Sequence, residues 1–455
     1  MSLSLVSSRA PRTASAPRTA SAPRTASAPR TGTRSTAAGP ASARRDPAVD
    51  VARAACLVVV VLLHGLMVGV SVGATGPVLE NALEGWPAFP ALSWVVQIMP
   101  LFFLLGGFSA HTQWERMRER GAGYGDYLAG RMRRLFVPAV AALVAVAVLL
   151  STLTLAGVPS SLVAVAGFRI SQPLWFLGVY VLCTVAVPPL VALHRRAPIV
   201  GLAAPAALAV AVDVLRGATG VTAIGFANLL FVWLTVQQLG FWLASGRLDG
   251  LSRRALGVLA ATAAGVLALL CTAGVWSFDM LANLNPPTGA LLPLAVVQLA
   301  LFRLAAPALR TAATLPPVER AVTWISARAM TVYLWHMPVL IVLAGGALLL
   351  AGTALPVPLS AEWWLTRPAW LATVLVAVAG AVALVGRREA GGRGQRPSPA
   401  PARARALSSA AAGAAGVLLV LLAGSSIASW VAAAGLAALA LRILRSSDLP
   451  GAVTR

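Results

Sequence analysis

Arg53 and His64 stand eleven residues apart in the apolar stretch VDVARAACLVVVVLLHGLMVGV, residues 49–70. An α-helix turns 100° per residue, so eleven steps return a side chain to within about 20° of its starting azimuth, roughly 16 Å along the axis. The guanidinium and the imidazole therefore share one stripe. Asp50 lies about a turn before Arg53 and is able to pair with it. An ionisable side chain far from either end of an apolar helix is a functional candidate by default. Burial favours the neutral imidazole, which can accept a proton. The same positions also suit a snorkelling anchor at Arg53 and a helix–helix hydrogen bond at His64.

Two further stretches carry chemistry-bearing side chains. YLAGRMRRLFVP places Arg131 and Arg134 three residues apart, hence on one helix face. Two guanidiniums there form a planar, always-charged clamp for phosphate, or they decorate the boundary of a membrane. ARAMTVYLWHMPVLIV puts Tyr333 and His336 roughly 14–18 Å inside its helix, near the depth of His64. Arg303, in VQLALFRLAAP, is a basic group just inside the same boundary and a candidate for the same mouth. His111 and His194 fall among arginines at helix ends and read as interface residues. In QIMPLFFLLGGFSAH, Pro100 and the pair Gly106–Gly107 either let helices approach closely or loosen the backbone.

The elements that must position these groups follow from composition. The chain has 455 residues, 58% of them hydrophobic and 11% charged. A soluble domain of that size cannot cover so much apolar surface, which makes this a multi-pass membrane protein. Apolar stretches fall near 51–70, 92–110, 135–156, 174–193, 198–215, 223–244, 255–276, 288–308, 324–350, 369–386, 407–424 and 427–444. Each approaches the ~20 residues that carry a helix across a ~30 Å hydrocarbon core, and lipid leaves the backbone no alternative to a helix. The expected fold is an all-α transmembrane bundle of about twelve spans.

The formal net charge of +22 does not point to nucleic acid, because the arginines sit in short loops between apolar runs, as beside an anionic leaflet. Their alternation puts both termini in the cytoplasm and the chain in the cytoplasmic membrane. Residues 1–45 repeat APRTAS from Ala10, Ala16 and Ala22 and read as a disordered basic tail held near the lipid surface. Residues 389–406 form an Arg/Gly/Pro-rich linker, and 407–446 an additional helix pair. Cys56, Cys183 and Cys271 lie in apolar runs without CxxC spacing, as small buried hydrophobes rather than a metal site or disulfides. The chain has no lysine, and its Ala/Val/Arg/Gly-rich wording is associated with GC-rich bacterial genes.

Taken in order, five segments resemble the acyltransferase-3 family of integral-membrane acyltransferases. They are RDPAVDVARAACLVVVVLLH with its R-x(10)-H pair at Arg53 and His64, MPLFFLLGGFSA, RMRR with Arg131 and Arg134, LWFLGVYVL at 174–182, and YLWHMP at 333–338. The resemblance covers residues 46–388 and implies a ten-helix acyltransferase core, to which the last pair is extra. One departure is Gly106-Gly107, where many members have Ser-Gly.

The family implies transfer of an acyl group, commonly acetyl, from cytoplasmic acyl-CoA to a hydroxyl on an envelope glycan, lipid or small molecule, with no metal. On that expectation Arg53, Arg131, Arg134 and Arg303 hold the CoA phosphates. His64 is the general base or carries the acyl group itself. Asp50 orients Arg53, and His336 and Tyr333 orient or polarise. The rival reading is a secondary transporter or exporter, which has the same outline. Such carriers repeat their halves, and RMRR and YLWH have no counterparts six spans away.

Overall fold

The computed structural model describes residues 46–73, 76–390 and 402–445. The expected tail, 1–45, and most of the linker, 389–406, lie outside the described residues. Among these, twelve helical segments are long and apolar enough to cross a membrane. The helices are α1 (Pro47–Met67), α2 (Phe89–Val96), α3 (Met99–Glu119), α4 (Tyr124–Leu155), α5 (Ser160–Ser171), α6 (Trp175–Arg196), α7 (Pro198–Thr219) and α8 (Asn228–Ala244). They continue as α9 (Arg253–Thr272), α10 (Leu291–Ala312), α11 (Pro316–Ala351), α12 (Ala361–Ala390), α13 (Arg403–Ala423) and α14 (Ile427–Arg445). The pairs α2–α3 and α5–α6 each make one crossing in two pieces. The chain is a multi-pass membrane protein.

The first crossing begins where local chemistry puts it. Asp46 caps α1 by accepting from the Ala48 amide at 3.0 Å, and Pro47 occupies the first turn, where its missing N–H costs nothing. The same carboxylate receives Arg310 Nε at 3.1 Å and Nη2 at 2.7 Å, which ties the start of α1 to the end of α10. Burial alone pushes this carboxyl up, but Arg310 and the Ala48 amide outweigh it and hold the carboxyl below the ordinary range.

The far end of that crossing differs from the sequence expectation. The helix stops at Met67, and Val68–Gly73 forms β1, paired antiparallel with β2 (Gly76–Asn81) in register Val68↔Asn81 and Val70↔Leu79. VGVSVG alternates β-branched residues with small ones, a strand period that a count of apolar residues does not register. The close approach of Gly69 to Ala82 leaves no room for a side chain: a Cβ there would lie 2.9 Å from that of Ala82.

One crossing breaks inside the continuous span expected near 92–110, and a second break, at Gln172–Leu174, falls just ahead of the span expected near 174–193, which α6 covers without interruption. Between α2 and α3, just before Pro100, the Gln97 carbonyl is freed and accepts from Gln298 Nε2 at 2.7 Å. The Gln97 side chain donates to the Met280 carbonyl at 3.1 Å. Between α5 and α6 a 3-10 turn, Gln172–Leu174, interrupts the helix, and the Pro173 carbonyl there accepts from the Tyr333 hydroxyl at 2.9 Å. Non-helical backbone at membrane depth is tolerated where protein satisfies it or where it lines a cavity.

Two large apolar clusters build most of the core. One joins α4, α5, α11, α12, α13 and α14; the other joins α3, α7, α8, α9 and α10. Helices α1 and α6 contribute to both, Leu57 and Val61 to the first and Val49 and Ala52 to the second, so they lie on the seam. The three cysteines are buried and unpaired, as expected.

The arginine-bearing helix ends gather at one end of the bundle. Arg310 meets Asp46, Arg195 lies 4.0 Å from Glu115, Arg133 donates to the Leu444 carbonyl at 3.1 Å, and Arg403 stacks over Tyr124 at 4.9 Å. At the opposite end Asp213 of α7 accepts from Asn228 Nδ2 (3.0 Å), Trp276 Nε1 (2.9 Å) and the Gly289 amide (2.7 Å), holding residues 276–289 against the bundle. Asp213→Ala leaves three donors without their acceptor, and we expect thermal unfolding in detergent to report a loss of about 3 kcal/mol. Asp213→Asn, which keeps a carbonyl oxygen, loses less.

Candidate active site

The seam between the two clusters is hollow. A cavity of about 1690 Å³ is lined by Arg53 and His64 of α1, by Arg131 and Arg134 of α4, and by Tyr180 of α6 and Tyr333 of α11. Both backbone breaks reach it, through Gln97–Met99 and Gln172–Pro173. At the arginine-rich end its wall adds Arg133, Arg328 and Arg445. At the opposite end it is bounded by Asn81, Glu84, Trp86, Asp279 and Asn285. Among the described residues Glu84 and Asp279 are the only carboxylates on the lining. The cavity is cationic at one end, mildly anionic at the other, and apolar between.

His64 is not alone at its depth. Its Nδ1 lies 3.0 Å from Nε2 of His336, and the rings stack with centroids 5.1 Å apart. His336 is completely buried, and its own Nδ1 lies 2.6 Å from the Tyr333 carbonyl. A carbonyl oxygen only accepts, so His336 Nδ1 carries a proton. In the neutral pair His336 Nε2 is then the acceptor, and His64 must donate from Nδ1. That leaves His64 Nε2 with a free lone pair and no hydrogen-bond partner among the described residues, on a ring that lines the cavity. One backbone carbonyl thus sets the tautomer of two rings in series.

The arginines are held by α1, α3, α4 and α6. Arg53 Nη1 donates to Ser109 Oγ at 3.3 Å, and its guanidinium lies 5.8 Å from the centre of Phe102. Ser109 in turn donates to the Leu105 carbonyl at 2.9 Å, which leaves its lone pairs toward Arg53. The Arg131 guanidinium lies 5.7 Å from the centre of the Tyr127 ring. The Tyr180 phenol sits within electrostatic reach of Arg131, Arg53 and Arg134 together. The Nε atoms of Arg53 and Arg131 are buried without a partner among the described residues. Buried donors carrying positive charge and lacking acceptors suit an anion with several oxygens, such as a phosphate.

Two expected members are elsewhere. Arg303 lines no part of the cavity. It donates to Asp249 Oδ1 at 2.6 Å and to the Leu248 carbonyl at 3.0 Å, because the loop between α8 and α9 brings a carboxylate to it. Asp50 does not line the cavity either, and Arg53 donates to Ser109. His194 lies in the last turn of α6 beside Arg195 and Arg196, as expected of a helix end, and it is buried there, with Nε2 3.1 Å from Ser245 Oγ and its ring 5.9 Å from that of His111.

Sequence reasoning missed Tyr180, Ser109, Arg133 and Arg328. Tyr180 carried a usable signal, since the chain has only four tyrosines and this one interrupts an apolar run. The others carried none.

The arrangement can hold a polyanion at one end of a passage and present an unprotonated ring nitrogen deeper within it. Comparison with known proteins bears on the chemistry. The family model of the acyltransferase-3 acyltransferase domain matches residues 46–386, which include every residue of the histidine and arginine groups except Arg445. No curated protein and no solved structure matches the chain. With three quarters of its length matched by that model, the chain belongs to the acyltransferase-3 family of membrane acyltransferases.

Proposed function

We propose that the protein is an O-acyltransferase that moves an acyl group, acetyl in the first instance, from cytoplasmic acyl-CoA to a hydroxyl of an envelope glycan, lipid or small molecule. The observation that carries this reading is the single cavity joining the guanidiniums of Arg53, Arg131 and Arg134 to His64. The arginine-rich end faces the cytoplasm, in keeping with the charge rule for membrane loops. There the arginines bind the CoA phosphates, and the pantetheine arm runs along the apolar middle toward His64. The acceptor comes from the opposite end, past Trp86 and Glu84.

His64 Nε2 takes the proton of the acceptor hydroxyl as its oxygen attacks the thioester carbonyl. The tetrahedral intermediate collapses by breaking the C–S bond, and the thiolate leaving group takes the proton from His64. The products are the ester and free CoA. While His64 holds the proton, its Nδ1–H donates to His336 Nε2, and His336 donates to the Tyr333 carbonyl. This chain stabilises the imidazolium and fixes the ring's orientation, as an acceptor behind a catalytic histidine does in hydrolytic triads. His336 is in this reading a positioning residue, and Tyr333 acts through its backbone carbonyl.

Membranes carrying the protein and incubated with labelled acetyl-CoA should transfer label to an acceptor fraction. A transporter would leave no label there, and that result would end the enzyme reading. In the same assay Arg131→Gln should raise the KM for acetyl-CoA at least about tenfold, the worth of one charge-assisted hydrogen bond to phosphate, with kcat little changed. An unchanged KM would remove the arginines from the donor site.

A further inference from the structure

The last two helices lie beyond the matched residues 46–386, and the sequence reads them as an extra pair. Their packing is that of an integral wall. Helices α13 and α14 bury Val417, Val420, Trp430 and Leu444 in the same cluster as α4. Gly413 sits directly against the Phe136 ring, where any side chain would collide with it. At the arginine-rich end Arg133, which follows Met132 on α4, donates to the Leu444 carbonyl at 3.1 Å. This bond pins the end of α14 beside the Arg131–Arg134 turn.

The pinned residue's neighbour matters for function. Arg445 lines the cavity together with Arg133 and Arg134, and Leu441 lies one turn before it on the same wall. Arg442, three residues before Arg445, is exposed but does not line the cavity. Among the described residues no carboxylate lines this end.

We infer that the C-terminal helix pair is a working part of the donor mouth, in which Arg445 binds a phosphate of the acyl-CoA. The inference rests on the acyltransferase reading above and extends the donor site to an element outside the matched domain. The pair thereby couples membrane insertion of the last hairpin to donor affinity rather than to the chemical step.

The test uses the full chain in proteoliposomes with acetyl-CoA and, separately, S-acetylpantetheine, a thioester donor without phosphates. Arg445→Gln should raise the KM for acetyl-CoA roughly fivefold, a solvent-exposed charged contact being worth less than a buried one, with kcat unchanged. Arg442→Gln, which removes the same charge from the same helix end, should leave that KM within about twofold. With S-acetylpantetheine, Arg445→Gln and wild type should coincide. Equal effects of the two substitutions, or a persisting effect with S-acetylpantetheine, would overturn the proposal. Arg134→Gln in parallel separates the levels. If it raises the KM while Arg445→Gln does not, only the role of Arg445 fails; if neither moves the KM, the donor reading fails with it.

Discussion

Replacing His64 with alanine lowers kcat for acyl transfer by about 10³, the midrange worth of a positioned general base, while the KM for acetyl-CoA stays within a few fold. The separation follows from geometry. On the proposed reading the donor's phosphates dock at the level of Arg53, about 16 Å along the helix from His64, so the donor still binds when the imidazole is gone. What is lost is the lone pair on Nε2, on a ring that lines the cavity. Glutamine at 64 does not restore the rate, because an amide nitrogen is not a base. Saturating both substrates and following ester formation in proteoliposomes reads the effect directly, and a variant retaining a tenth of the wild-type rate would refute the role.

His336→Phe makes the companion measurement. It keeps the ring volume at a fully buried site but removes the acceptor 3.0 Å from His64 Nδ1. The His64 ring then loses its fixed tautomer and its partner in the charged state. The expected loss is about 10² in kcat, smaller than at His64 because the base itself remains. If both substitutions cost the same, His336 touches the reacting atoms rather than acting through His64.

A second large effect concerns the scaffold. Gly240→Ala abolishes recovery of folded protein. The Cβ it adds would meet the Leu104 carbonyl, the Phe108 amide and the Gly107 backbone where α8 crosses α3. Backbone cannot turn aside as a side chain does, so the cost exceeds the ~1–3 kcal/mol of ordinary overpacking. Gly107 is the reciprocal contact, facing the Gln237 backbone. Gly106 is different: a Cβ there meets nothing within 4 Å. Gly106→Ala should fold as well as wild type or slightly better, since alanine orders less backbone on helix formation. Size-exclusion profiles and melting curves of the two variants make the comparison. A monodisperse Gly240→Ala protein with wild-type melting would show that the crossing is not so close.

These glycines illustrate what the sequence could and could not say. Gly106-Gly107 read equally as a close helix contact or a loosened backbone, and the packing assigns the first to Gly107 and gives Gly106 open space. In the same way RMRR promised two guanidiniums on one face, and Arg131 and Arg134 do line one cavity. It did not disclose that Arg133, between them, turns to Leu444 on a helix 311 residues later.

What the sequence determined by itself were properties set within one helix. The number of crossings, the gathering of arginines at alternate helix ends and the shared stripe of Arg53 and His64 all follow from the length and 3.6-residue period of a single element. Hydrophobic length averages over a whole crossing, which is why it passed over the break at Gln97 and over the strand Val68–Gly73. Tertiary structure alone decided which side chains meet. It brought His336 to His64 across 272 residues, turned Arg303 away to Asp249 and set Tyr180 among three arginines. A hydrogen bond is made or lost within an ångström, and that distance depends on how neighbouring helices cross, not on the period of either one.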